Sequence, residues 1–210
     1  MDGKESVRYV IESKIEGVLV ECGVQHGTFQ SLRIAELQRL GVEKDIYLYD
    51  TFAGLTAPGD MDYTTAGATW FTMSSAEVKE FWTKSVTANG NDWCYCPLET
   101  VQQILYQTGY PKQHLHFVKG DVMETLRTTV PEKIAILRLD TDWYVSSKFE
   151  LEMMYDKVTP GGVVIFDDYY LWEGQRRATD EFFQARGIDP KLVDIGNGKT
   201  AAMIKTAQLH

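Results

Sequence analysis

The chain has 210 residues, of which 44% are hydrophobic and 24% charged, with a formal charge of −9 at pH 7; this is the balance of an ordinary globular protein with one sizeable core, so one domain is expected over residues 1–210. The acidic balance excludes a large phosphate-binding footprint, which needs clustered Lys and Arg, and no nucleic-acid partner is expected. No apolar run approaches the ~20 residues of a membrane span, and the start Met1-Asp2-Gly3-Lys4-Glu5 lacks the apolar core of a signal peptide, so the expectation is a cytoplasmic protein with no membrane partner.

Residues 2–13 place Val7, Val10 and Ile11 among charges, the pattern of a short helix packed on the first strand. Val18-Leu19-Val20-Glu21 is an apolar strand ending in an acid, followed by a turn with Gly23 and Gly27 and then by helical spacing from Thr28 to Leu40. Strand-to-helix junctions of this kind are where α/β proteins bind nucleotide-like cofactors. The glycines fit neither the GxGxxG of dinucleotide binders nor a P-loop. Lys44 to Asp50 is a second apolar strand ending in an acid; such an acid either accepts hydrogen bonds from ribose hydroxyls or only starts the turn Thr51–Gly54.

From 56 to 93 the character changes: Tyr63, Trp70, Phe71, Phe81, Trp82 and Trp93 lie among polar residues without a clean apolar period. A segment this long inside a compact domain is expected to be a partly helical lid, insertion or partner surface. Pro97 to Gly109 reads as a helix, and His114 to Asp121 as a third strand. His114 and His116 share a face of that strand without a third ligand nearby and are expected to be solvated. Lys133 to Asp140 is a fourth strand, followed by a helix over 146–158. The turn Thr159-Pro160-Gly161-Gly162 leads into the most apolar strand, Val163 to Phe166, which ends in Asp167-Asp168. A helix over 175–186 and two short strands, 191–195 and 200–205, joined by Gly196-Asn197-Gly198-Lys199, close the chain. Cys22, Cys94 and Cys96 cannot all pair and lack zinc-site spacing, so reduced thiols are expected.

The alternation predicts an α/β fold with a mainly parallel doubly wound sheet and a C-terminal antiparallel hairpin. Each parallel strand ends in an acid: Glu21, Asp50, Asp121, Asp140, and Asp167 with Asp168. A doubly wound sheet gathers these along one edge, where like charges repel and need ligand groups, a metal or protons to compensate them. Asp140, Asp142, Asp167 and Asp168 form an all-oxygen set suited to a hard cation, Mg²⁺ before Ca²⁺ or Mn²⁺; the alternative is helix capping and turn formation by some of them.

Glu21-Cys-Gly-Val-x-x-Gly27, Tyr49-Asp50-Thr-Phe-Ala-Gly-Leu55, Lys119-Gly120-Asp-Val-x-x-Thr-Leu126, Leu137-Arg-Leu-Asp-Thr-Asp-x-Tyr144 and Gly161-Gly-x-x-x-Phe-Asp-Asp-Tyr169 occur in this order. Together they resemble the macrocin O-methyltransferase (TylF/MycF-like) family of class I S-adenosylmethionine-dependent methyltransferases, over about 17–187. The resemblance implies a Rossmann-like methyltransferase domain. It places cofactor contacts at Glu21, Gly23 and Gly27 (methionine end), Asp50 (ribose), and Gly120 with Asp121 (adenine). It further implies Mg²⁺ ligands at Asp140, Asp167 and Asp168, with Asp142 as general base and Asp140 taking part in catalysis. The expected reaction is methyl transfer from S-adenosylmethionine to a hydroxyl of a sugar or other small natural product. A catechol-type methyltransferase and a non-catalytic cofactor-binding module are the rivals, and a homo-oligomer stays open. The 56–93 segment follows no pattern of that family, and acceptor selectivity is expected there.

Overall fold

In the computed structural model, which describes residues 3–196 and 198–206, β1 (Val18–Cys22) runs through the interior and all but its first residue are buried. Its alternate side chains serve opposite faces. Leu19 joins one apolar cluster with Ile34, Leu48 and Ile136, and Val20 joins another with Leu137, Leu151 and Phe183. A strand covered on both faces has no solvent side to carry polar residues, which is why its sequence is continuously apolar. Truncating such a side chain, Leu19→Ala for example, is expected to cost ~2–5 kcal/mol.

In chain order the elements are α1 (Gly3–Glu12), β1, α2 (Thr28–Leu40), β2 (Ile46–Asp50), α3 (Ser75–Lys84), β3 (Val86–Thr87), β4 (Gly90–Asn91) and α4 (Leu98–Gln107). There follow β5 (Leu115–Lys119), α5 (Val122–Thr125), β6 (Ile134–Leu139), α6 (Tyr144–Met154), β7 (Val158–Phe166), α7 (Glu173–Ala185), β8 (Val193–Asp194) and β9 (Ala201–Ile204). The main sheet has the order β5-β2-β1-β6-β7-β9-β8. Its first five strands are parallel, and β9 runs antiparallel to both β7 and β8. The chain builds outward from β1 to β2 and β5, then crosses to β6, so the order reverses between β1 and β6. The register sets Cys22 beside Tyr49 and Leu139, and Leu139 beside Phe166. The residues just past these positions therefore share one sheet edge.

Three sequence expectations need correction. α1 packs along α2 rather than directly on the first strand, because Val7 and Val10 complete the cluster under α2's Ile34 and Leu37. β7 starts at Val158, and Thr159–Gly162 bulges from the pairing, since Val158 lies opposite Ile134 and Val163 opposite Ile136. His114 and His116 are tied down rather than simply solvated: His114 Nδ1 (3.0 Å) and His116 Nε2 (2.8 Å) share one oxygen of Asp45, which is where β5 meets the start of β2. Asn197, expected in the closing turn, lies outside the described residues.

The segment 56–93 is held to the sheet by specific anchors. α3 starts on a capping box formed by Ser74 and Glu77. Asp62, 1% exposed, accepts hydrogen bonds from the Tyr144 N–H (2.8 Å) and the Gly59 N–H (2.6 Å). Its carboxylate thus caps the first turn of α6, where helix N–H groups lack internal partners. Trp93, Trp143 and Trp172 meet edge to face with centroids 5.3–6.2 Å apart, and Trp143 Nε1 donates to the Thr56 carbonyl (2.8 Å). These contacts fasten the segment over the ends of β6 and β7. Among the described residues no helix is long and apolar enough to cross a membrane.

Candidate active site

At the carboxyl edge of the sheet an open cleft is lined by Gly23, Asp50, Gly120, Asp121, Asp140 and Asp142, together with Thr141, Cys94 and Lys199. It lies at the switch point where α/β sheets place small-molecule sites. Gly23 (φ 82°) makes the crossing possible: a Cβ there would lie 1.9 Å from the Asp140 carbonyl oxygen. The Asp140 N–H in turn donates to the Cys22 carbonyl (2.8 Å), so the turn after β1 and the loop after β6 are locked together.

On the β1–β2–β5 side Asp50 and Asp121 are already satisfied. Asp50 Oδ2 accepts from the N–H groups of Val24 (2.7 Å) and Gln25 (3.0 Å), and Oδ1 accepts from Phe52 N–H (2.7 Å). Asp121 caps α5, accepting from Met123 N–H (2.9 Å). Gly27 begins α2 with φ 71°, its Cα facing Leu105 and Val101 rather than the cleft. Glu21 is 1% exposed and stands behind the cleft wall, its Oε1 accepting from Arg138 Nη1 (2.7 Å).

The β6–β7 side is crowded with charge. Arg138, 6% exposed, pairs through Nη1 with Glu21 and with Asp140 Oδ2 (2.6 Å), and through Nη2 with Asp167 Oδ1 (2.7 Å). Its guanidinium stacks 4.2 Å from the Phe29 ring centroid. Burial opposes its charge, but Asp140, Asp167 and Glu21 together outweigh burial and keep it protonated. Lys199 Nζ lies 2.6 Å from Asp167 Oδ2 and 2.9 Å from Asp168 Oδ1. For Asp167, burial is overcome by Arg138 and Lys199, which hold its carboxyl well below the usual range.

Asp140, Asp142 and Asp168 each bring a carboxylate oxygen within 4.8 Å of the others. Burial pushes all three up. Asp140 and Asp168 rise well above the usual range, and Asp142, whose hydrogen bond with Asp168 works the other way, rises to about 6. Asp168 is 1% exposed, and the charged or polar groups that answer its carboxyl are Lys199 and Asp142. Its backbone is well fixed, since its N–H donates to Gln175 Oε1 (2.7 Å) and Gln175 Nε2 reaches the Leu139 carbonyl (3.2 Å). Behind the cleft, buried Glu150 accepts from Thr141 Oγ1 (3.0 Å), and burial raises its carboxyl to about 8.

The structure thus gathers Asp140, Asp142 and Asp168 most tightly, with Asp167 turned to Arg138 and Lys199. Sequence reasoning missed Arg138, Lys199, Gln175 and Glu150. The alternation of β6 offered a signal for the first, since a charged residue inside an apolar strand must find a buried partner. The others come from distant elements.

A parallel sheet with this switch-point cleft and antiparallel closing hairpin is the class I methyltransferase fold. It is shared with the O-methyltransferase NovP (TM-score 0.81, 25% identity, covering 98% of this chain and 78% of that one). It is shared also with CalS11, a calicheamicin methyltransferase (TM-score 0.68, 21% identity, 96% and 76%). The macrocin O-methyltransferase (TylF) family profile matches residues 2–202, and the chain belongs to that family. It is 28% identical over 193 residues to demethyldecarbamoylnovobiocin O-methyltransferase of Streptomyces niveus, covering 91% of this chain and 68% of that protein. Mycinamicin III 3''-O-methyltransferase of Micromonospora griseorubida is 33% identical over 98 residues, 47% of this chain and 38% of that protein. The chain is therefore a methyltransferase, and its family uses S-adenosylmethionine as methyl donor.

Proposed function

We propose that this chain methylates a hydroxyl of a sugar or sugar-bearing natural product, with S-adenosylmethionine in the β1–β2–β5 half of the cleft and Mg²⁺ among the carboxylates of the β6–β7 half. The observation that carries this reading is the convergence of Asp140, Asp142 and Asp168, whose carboxylate oxygens lie within 4.8 Å of one another with Asp168 fully buried. An all-carboxylate donor set of this kind fits a hard divalent cation. The names of the relatives, which act on novobiocin, mycinamicin and tetracenomycin precursors, support the acceptor class.

S-adenosylmethionine, when bound, supplies an electrophilic methyl group on sulfur, and a divalent cation, when bound, supplies a Lewis acid that eases ionisation of a hydroxyl. Asp140 and Asp168 would hold the cation. Asp142, whose carboxyl burial raises above the usual range, would take the proton of the acceptor hydroxyl during methyl transfer. Asp50 holds the turn after β1 through two of its backbone N–H groups, so the donor meets a preformed wall.

The test is product mass after incubation with S-adenosylmethionine, Mg²⁺ and a panel of glycosides and catechols. Methylated glycosides formed with Mg²⁺ and abolished by EDTA are the expected result. Faster turnover of vicinal phenols would move the assignment to a catechol-type enzyme, and undiminished turnover in EDTA would remove the cation.

A further inference from the structure

We infer that Lys199 is a tethered counter-cation that holds the place of the divalent ion and must leave Asp168 for that ion to bind. The inference rests on the cation site proposed above. Arg138 answers Glu21, Asp140 and one oxygen of Asp167. Lys199 answers the other oxygen of Asp167 and one oxygen of Asp168. It does so from the turn between β8 and β9, outside the parallel strands that carry the acids, and its side chain lines the cleft.

Two features distinguish this lysine from an ordinary structural ion pair. Arg138 is a rigid fork built into a buried strand, whereas Lys199 is a single point charge on a flexible four-carbon stem with an open cleft to move into. The ammonium also contacts Asp168, the buried carboxylate that converges with Asp140 and Asp142. Two cations packed among the same oxygens repel strongly, the more so away from water. Occupancy by ammonium and by a divalent ion is therefore competitive.

Displacement frees Asp167 Oδ2 and Asp168 Oδ1 together. The backbone of Lys199 is itself tied to the 56–93 segment. The Lys199 carbonyl accepts from Tyr170 N–H (2.9 Å), and the Tyr170 carbonyl accepts from Thr65 Oγ1 (2.5 Å).

The full chain carrying Lys199→Met, with Lys199→Arg as the conservative variant, tests this by Mn²⁺ binding followed through the free-ion electron paramagnetic resonance signal. Lys199→Met should bind Mn²⁺ at least about tenfold more tightly than wild type, and Lys199→Arg should stay near wild type. Equal or weaker binding by Lys199→Met would overturn the inference and leave the cation site standing. Absence of binding by wild type and Lys199→Met alike would overturn the cation site and the inference with it. Binding by Lys199→Met alone would support the inference, because the lysine then masks the site. If Lys199→Met does not fold without divalent ion, reductive methylation of wild type read by mass spectrometry decides. Lys199 should be labelled several-fold faster in Mg²⁺ than in EDTA, and equal rates would overturn the exchange.

Discussion

The two halves of the cleft treat their acids in opposite ways. On the β1–β2–β5 side, Asp50 and Asp121 are answered by backbone N–H groups of their own turns, so the carboxylates hold the loops in shape before any ligand arrives. On the β6–β7 side, Asp140, Asp142, Asp167 and Asp168 crowd together, and the side chains of Arg138 and Lys199 answer Asp140, Asp167 and Asp168. Like charges buried in one place cost stability unless counter-charges offset them. The difference separates turns closed by their own backbone from a cluster of carboxylates held by two cationic side chains.

The sharpest way to break the comparison is Asp142→Asn. If Asp142 takes the acceptor's proton, the turnover number should fall ~10²–10⁴-fold, with S-adenosylhomocysteine affinity in calorimetry unchanged and no rescue by added Mg²⁺. Rescue by metal would make Asp142 a ligand instead of a base.

Asp168→Asn tests whether charge on that side opposes folding. The substitution keeps the shape and removes one repelling carboxylate, so the melting temperature in EDTA should rise by ~2–4 °C, about 1 kcal/mol for a chain of this size. Turnover should drop at least about tenfold at modest Mg²⁺ and recover in part at high Mg²⁺. A lower melting temperature would show that the charge cluster is a net stabiliser and would undo the contrast.

Asp50→Ala should do the reverse. It leaves Val24, Gln25 and Phe52 N–H groups without their acceptor, and the expected loss is ~1–3 kcal/mol of folding stability, with weaker S-adenosylhomocysteine binding besides. Denaturant unfolding and calorimetry read the two losses; unchanged values in both would take Asp50 out of the site.

A pH-dependent test concerns Glu150, which is buried behind the cleft. Burial raises its folded pKa to about 8 from 4.5, so the folded state holds a proton that the unfolded state has lost. Its contribution is fully present below pH 4.5 and is lost progressively as pH rises towards 8. Glu150→Gln mimics the neutral acid, and its stability advantage over wild type should grow between pH 5 and 8 by up to ~1.4 kcal/mol per pH unit. A gap that does not change with pH would mean Glu150 is ionised in the folded protein.

How much of this was legible in the sequence follows from the range of each signal. The apolar run 18–20, the helical spacing of 28–40 and the turn at 196–199 are local, and β1, α2 and the β8–β9 hairpin form where they predict. Because parallel strands in such a sheet end together, the acids that follow them could be assigned to one edge from their positions alone. What answers those acids could not. Arg138 meets Glu21 only because β6 lies beside β1 in a register that makes the two residues direct neighbours. Lys199 reaches Asp167 and Asp168 because β9 folds back antiparallel on β7. Asp62 caps α6 from a segment with no periodicity to read. Periodicity and turn chemistry report which way a residue faces within its own element, whereas charge compensation depends on which elements become neighbours. Tertiary structure therefore decided which acids of this methyltransferase are satisfied and which are left for a ligand.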